Sequence, residues 1–191
     1  NQGFYRVFYI KGKHNITFRG KGGIFGDAHD HLYTDPFAGT NYYGEFGHIF
    51  SFGNCHNITI KELTISDAFG DNIYIGCSIN VDKTEGFISS DIVIKNCNIN
   101  YARRNGLTAN AHNMFVSDCY FEGNGSDEIR GTAPRSAIDV ESDYISIDSE
   151  LGNKNIQISD CSFLNNKYDL FSLFMPNKGK ICLKMLYLML S

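Results

Sequence analysis

Apolar residues recur along this chain in one figure. Two alternate, the register slips by one residue, two more alternate, and a further apolar strand follows beyond a polar turn. Ile58, Ile60, Leu63, Ile65 and Ile73 make one copy, and Ile92, Ile94, Cys97, Ile99 and Leu107 make the next. Met114, Val116, Cys119, Phe121 and Ile138 form a third, and Ile156, Ile158, Cys161, Phe163 and Leu170 a fourth. A weaker copy precedes them, with Ile16 and Phe18, then Ile24 and Phe25, and a strand over 47–52 leads into the first clear one. No stretch spaces its apolar residues three and four apart over the length an amphipathic helix needs. Short period-two runs separated by Asn and Gly predict strands and tight turns. The shortest step between copies, Ile92 to Met114, gives a basic period of about 22 residues. Such a repeat predicts an all-β parallel solenoid, in which each coil pairs only with its neighbours.

The longer steps come from inserts. Loops are expected at 27–46, 76–90, 125–136 and 141–154 within a single domain over 1–175, holding about five coils. The segment 176–191, ending ICLKMLYLMLS, reads as a tail outside the repeat, and the chain as a piece of a longer array. Its apolar run is about half the length that spans a bilayer.

Stacking makes equivalent outward residues neighbours across strands, and the third strand of each copy gathers polar ones. With Ile73 and Ile75 inward, Asn72 and Tyr74 face out behind the turn residue Asp71. With Leu107 and Ala109 inward, Thr108 faces out behind Arg103 and Arg104. With Ile138 and Val140 inward, Asp139 and Glu141 share the outer face. His112 follows in the next turn at the rim of this face. Taken singly, Asp71 in Gly-Asp-Asn is a turn residue and the arginines are solvated charges; their convergence on one face points to a site. The inserts would wall that face into a groove suited to an extended chain such as a polysaccharide. Glycoside hydrolysis needs two carboxyl groups in different protonation states, which Asp71, Asp139 and Glu141 could supply. Elimination from a uronic acid needs a base and a cation, for which Arg104, or Ca²⁺ held by the same acids, would serve. The residues leave both chemistries open, and neither requires another cofactor.

Composition changes this picture little. Seventeen basic against twenty-one acidic residues give a net charge of −4, which argues against nucleic acid or anionic membrane as the partner. Six cysteines suggest disulfides, but Cys97, Cys119 and Cys161 share the repeat position of Leu63 and so read as small core residues. His29 and His31 have metal-like spacing without a third ligand, and read as a solvated loop. No signal peptide is visible at the start.

The runs NITIKELTISDAFGDNIYIG, RRNGLTA and GTAPRSAIDVES, in that order, resemble right-handed parallel β-helix proteins of the pectate-lyase-like superfamily. The resemblance covers about residues 44–172, with Asn72 in place of a glycine and Ser142 in place of a proline. It implies a right-handed, single-stranded parallel β-helix and a carbohydrate-active protein. That protein would be a glycoside hydrolase or polysaccharide lyase, or else a non-catalytic glycan-binding β-helix such as a phage tailspike or adhesin module. Carried over, the family pattern falls on Asp71, Arg103, Arg104, Asp139 and Glu141, of which Asp71, Arg104, Asp139 and Glu141 are the catalytic candidates. Arg103, Asn72, Tyr74, Thr108 and His112 are the substrate-binding candidates. It further implies an extracellular, phage-surface or cell-surface setting, and is compatible with a homo-oligomer.

Overall fold

The computed structural model describes residues 6–30, 46–79, 86–125, 133–141, 152–174, 181–184 and 187–189. It is a right-handed parallel β-helix, and the described strands form six coils. The first two coils are β1 (Phe8–Lys11), β2 (His14–Arg19) and β3 (Gly23–Phe25), then β4 (Phe50–Gly53), β5 (His56–Lys61) and β6 (Thr64–Ser66). The middle two are β7 (Ile73–Ile79), β8 (Gly86–Lys95) and β9 (Asn98–Asn100), then β10 (Leu107–Ala109), β11 (Ala111–Ser117) and β12 (Tyr120–Glu122). The last two are β13 (Ile138–Glu141), β14 (Lys154–Ser159) and β15 (Ser162–Leu164), then β16 (Phe171–Phe174), β17 (Ile181–Lys184) and β18 (Tyr187–Met189). Each strand pairs in parallel with its equivalents in the adjoining coils, so three sheets run the length of the molecule.

The slip seen in the sequence has a backbone cause. At the corner between the second and third strand types, Glu62, Asn96, Asp118 and Asp160 each adopt positive φ. At the next corner Asp67, Tyr101, Gly123 and Asn165 do the same, and Asn15, Asn57, Asp91, Asn113 and Asn155 repeat it in the longer strands, each one residue before the core row Ile16, Ile58, Ile92, Met114 and Ile156. Asn, Asp and Gly tolerate this left-handed conformation best, and the turn it makes re-aims the next side chain into the core.

The inward rows are continuous. Phe8, Phe50, Ile73, Leu107, Ile138 and Phe171 stand in one register, and Ile16, Ile58, Ile92, Met114, Ile156 and Ile181 in another. Phe8 stacks on Phe50 at 5.0 Å and Phe121 on Phe163 at 5.2 Å. The fully buried ones, Phe50, Phe121 and Phe163, each contribute about 1.5–3 kcal/mol. Cys97, Cys119 and Cys161 are buried free thiols, as their repeat position requires.

Three expectations change. The segment 76–90 is not simply a loop: β7 runs on to Ile79 and β8 starts at Gly86, and their ends pair antiparallel as an arm, Cys77 with Ile88 and Ile79 with Gly86. Within the expected tail 176–191, the described strands β17 and β18 stay in the repeat: Ile181 and Leu183 continue the register of Ile156 and Ile158, and Leu188 that of Phe163. With this last coil the described strands make six coils rather than about five.

Asparagines tie the corner behind the site. Asn124, fully buried, accepts the Ala102 N–H on Oδ1 at 3.1 Å and donates from Nδ2 to the Ile99 carbonyl at 2.9 Å and to Asn166 Oδ1 at 2.9 Å. Asn124→Ala strands these buried groups, each costing about 1–3 kcal/mol. A loss of about 3 kcal/mol is expected, read as a lowered urea midpoint in the far-ultraviolet β signal; an unchanged midpoint would mean that the Asn124 bonds add no net stability.

Candidate functional site

The sheet of β1, β4, β7, β10, β13 and β16 carries the candidate residues. Its central outward row is Tyr9, Ser51, Tyr74, Thr108, Asp139 and Ser172, set by the register of successive strands about 4.8 Å apart. The row is not evenly open. Ser51, Thr108 and Asp139 are buried, whereas Tyr74, Glu141 and Ser172 are partly exposed and Tyr9 is exposed.

Asp71 lies at the corner entering β7 and is wholly buried. Its carboxylate accepts from Arg104 Nη1 at 2.9 and 3.2 Å, from the Asn105 N–H at 3.0 Å and from Thr108 Oγ1 at 2.9 Å. Because Thr108 donates to Asp71, it accepts from Asn105 Nδ2, at 3.0 Å, and the same nitrogen lies 3.4 Å from Asp139 Oδ2. Asn105 Oδ1 in turn accepts the Ser136 N–H at 3.0 Å. Arg104, Asp71, Thr108, Asn105 and Asp139 thus form one polar network across β7, β10 and β13.

Asp139 on β13 sits among buried neighbours beside a second acid. Burial raises the Asp139 carboxyl most, and Glu141, two residues along the same strand face, adds to it; Arg104 opposes, and the result is a value pushed up to about 7. Asp139 can therefore hold a proton near neutrality, as a general acid or base must.

His48 extends the network on the other side. Its Nδ1 accepts the Asp71 N–H at 3.1 Å, which places the ring proton on Nε2. The ring stacks on Tyr74 with centroids 4.8 Å apart and planes within 7°, and Phe46 meets it edge-on. Burial lowers its pKa to about 4, with Asp71 opposing the shift, so the imidazole is neutral at physiological pH. Its buried Nε2 has no partner among the described residues.

Several expected site residues lie elsewhere. Asn72 does not face out; it is wholly buried, its Oδ1 accepting the Ala68 N–H and its Nδ2 donating to the Asn100 carbonyl, because the corner bends it inward. Arg103 is also buried, with Nε donating to the Phe69 carbonyl at 2.6 Å and the guanidinium 4.2 Å above the Phe69 ring. Consecutive residues of a turn point different ways, so only Arg104 reaches Asp71. His112 is not at the rim: it belongs to β11, in the neighbouring sheet, where Nε2 bonds the Gly152 carbonyl at 2.8 Å. His29 lies 3.1 Å from Asp67, and His31 falls outside the described residues. Among the described residues no cluster of three His, Cys, Asp or Glu side chains could hold a metal ion. Asn105, in the Arg-Arg-Asn-Gly run, is a site residue with no mark in the sequence, because a turn asparagine carries no signal that it bridges two acids.

No protein-family profile matches the chain and no solved structure resembles it closely enough to be matched. Two proteins of Bacillus subtilis (strain 168) are similar to it. The uncharacterized protein YclG is 33% identical over 141 residues, covering 72% of this chain and 23% of that protein. The SPbeta prophage-derived uncharacterized protein YorA is 32% identical over 190 residues, covering 94% of this chain and 30% of its own length. The chain therefore spans less than a third of either relative, and their names leave the chemistry of the site to be argued from its residues.

Proposed function

We propose that this protein cleaves a polysaccharide by hydrolysis on the face of β7, β10 and β13, with Asp139 as the proton-carrying group and Glu141 as its partner carboxylate. The observation that carries this is the raised Asp139 carboxyl, held on an outward row beside the more exposed Glu141. Glycoside hydrolysis uses a pair of carboxyl groups, one of which carries a proton to the leaving group. The row of hydroxyl, phenol and carboxyl groups along the coil axis suits an extended, hydroxyl-rich chain. The resemblance to the pectate-lyase-like superfamily supports the same substrate class. On this reading Asp71 and Arg104 are positioning residues, acting on Asp139 through Thr108 and Asn105, and the protein works outside the cell or at a phage or cell surface. Elimination, with Ca²⁺ or Arg104 meeting a uronate, is less favoured because Arg104 is buried against Asp71.

A panel of neutral, amino-sugar and uronic-acid polysaccharides, assayed for new reducing ends and for unsaturated-product absorbance, tests this. Reducing ends without the unsaturated chromophore are expected. Asp139→Asn should lower turnover about 100-fold or more, and Glu141→Gln should also impair it. If Asp139 donates the proton, activity falls as pH rises through about 7. Unsaturated products would replace hydrolysis by elimination. Binding without turnover on every substrate would favour the second reading, a glycan-binding β-helix, which the prophage origin of YorA makes worth testing.

A further inference from the structure

The arm formed by β7 and β8 gives the proposed site a second aromatic position. Tyr74 leans along its own strand: any side chain at Gly76 would collide with Cε1, Cζ and Oη of the Tyr74 ring. The absence of a side chain at Gly76 is what lets the ring lie over the strand, and His48 backs the ring by stacking on it. Beyond Gly76 the strand enters the arm, where position 78 pairs antiparallel with Phe87. Alternation along β7 puts positions 74, 76 and 78 on one side of the strand, and residues directly opposite in an antiparallel pair share a side. Phe87 therefore stands on the Tyr74 side of the arm, roughly 13 Å further along at about 3.3 Å per residue. It is 45% exposed, while its neighbour Ile88 is buried.

We propose that Phe87 is an outer saccharide subsite: a glycan chain seated over Asp139 and Tyr74 continues along the arm and lays a pyranose ring on Phe87. The apolar C–H face of a sugar ring carries partial positive charge and meets the negative face of an aromatic ring. The occupant is a sugar because the surrounding row, Tyr74, Thr108, Asp139 and Ser172, offers hydroxyl, phenol and carboxyl groups that match sugar hydroxyls. Phe87 touches none of the reacting groups; it adds affinity only for chains long enough to reach it. This inference rests on the polysaccharide reading above.

Ladders of cello-, chito- and galacturono-oligosaccharides of two to eight units, titrated calorimetrically into wild type and Phe87→Ala, test it. For the ladder that wild type binds, Phe87→Ala is expected to weaken the longest members about 3- to 10-fold and to leave the disaccharide within about 2-fold. Phe87→Tyr should restore the loss. Gly76→Ala, which dislodges Tyr74, should weaken every length. Because Phe87 is exposed, melting curves of the two Phe87 variants should overlay wild type. Uniform loss at every length, or no loss on a ladder that wild type binds and cleaves, overturns the subsite while leaving polysaccharide cleavage standing. A change in oligomeric state by light scattering with saccharide affinity unchanged also overturns it, assigning Phe87 to a contact between copies. Wild-type binding to none of the ladders overturns both the subsite and the reading beneath it.

Discussion

Asp71→Ala is expected to destabilise the protein by about 3–5 kcal/mol, the cost of breaking a buried ion pair by removing one partner. The substitution leaves the Arg104 guanidinium, only 6% exposed, without its carboxylate. It also strands the Asn105 N–H and the Thr108 hydroxyl that now end on Asp71. Urea unfolding at pH 7 measures the effect. Since the penalty comes mainly from the unpaired cation, adding Arg104→Met to Asp71→Ala should recover much of the loss. A loss below about 1 kcal/mol for the single variant, or no recovery in the double, would mean that water or rearrangement satisfies these groups. The large structural cost has a functional corollary. Lost activity in Asp71→Ala would say little about chemistry, whereas Asp139→Asn tests the proposed proton carrier in a folded protein.

The second large effect is a cancellation in the dependence of stability on pH. Asp139 has its pKa raised in the folded state, from 3.8 to about 7. Its contribution is therefore fully present below the unfolded value and is lost as pH rises through the folded one. His48 is lowered from 6.5 to about 4, so its contribution is present above the unfolded value and is lost as pH falls through the folded one. Between about pH 4 and 6.5 each group differs by one proton between the folded and unfolded states, with opposite sign. Each slope is about 1.4 kcal/mol per pH unit, and the two offset each other. Relative to wild type, Asp139→Asn should gain stability progressively as pH rises from 4 to 7. His48→Asn, whose Oδ1 can take over the Asp71 N–H, should lose relative stability as pH rises from 4 to 6.5. Urea titrations of the three proteins at half-unit steps would show the curves diverging in opposite directions. Parallel curves would mean that neither group is held in its buried, shifted state.

How much of the site was legible in sequence depended on whether a residue's direction follows from strand alternation. Thr108, Asp139 and Glu141 sit inside strands whose alternate positions are Leu107, Ile138 and Val140, so their outward side could be stated without coordinates. Asn72, Arg103 and His112 sit at corners or at the start of another strand, where alternation is suspended. Asn72 turned into the corner ladder, Arg103 onto Phe69, and His112 into the neighbouring sheet. His48 was only faintly marked, because its importance comes from contacts with Asp71 and Tyr74, 23 and 26 residues away. The last coil was missed for a related reason: Ile181, Leu183 and Leu188 continue the backbone register of the coil before, but the step from Ile156 to Ile181 is 25 residues against a basic period of about 22, which hides the repeat.

By itself, then, the sequence determined the solenoid. Period-two apolar runs, broken at regular intervals by Asn, Asp and Gly that tolerate positive φ, admit little besides stacked short strands with a common core. It also determined which strand type bears the acids. Only the tertiary structure decided what those acids are. Burial and the nearness of Glu141 set Asp139 near neutrality, and three donors, Arg104, the Asn105 N–H and Thr108, made Asp71 part of the scaffold. The antiparallel arm brought Phe87 to the Tyr74 side. Protonation and partnership depend on what surrounds a group in space, and coil stacking draws those surroundings from segments 20 to 40 residues apart in the chain.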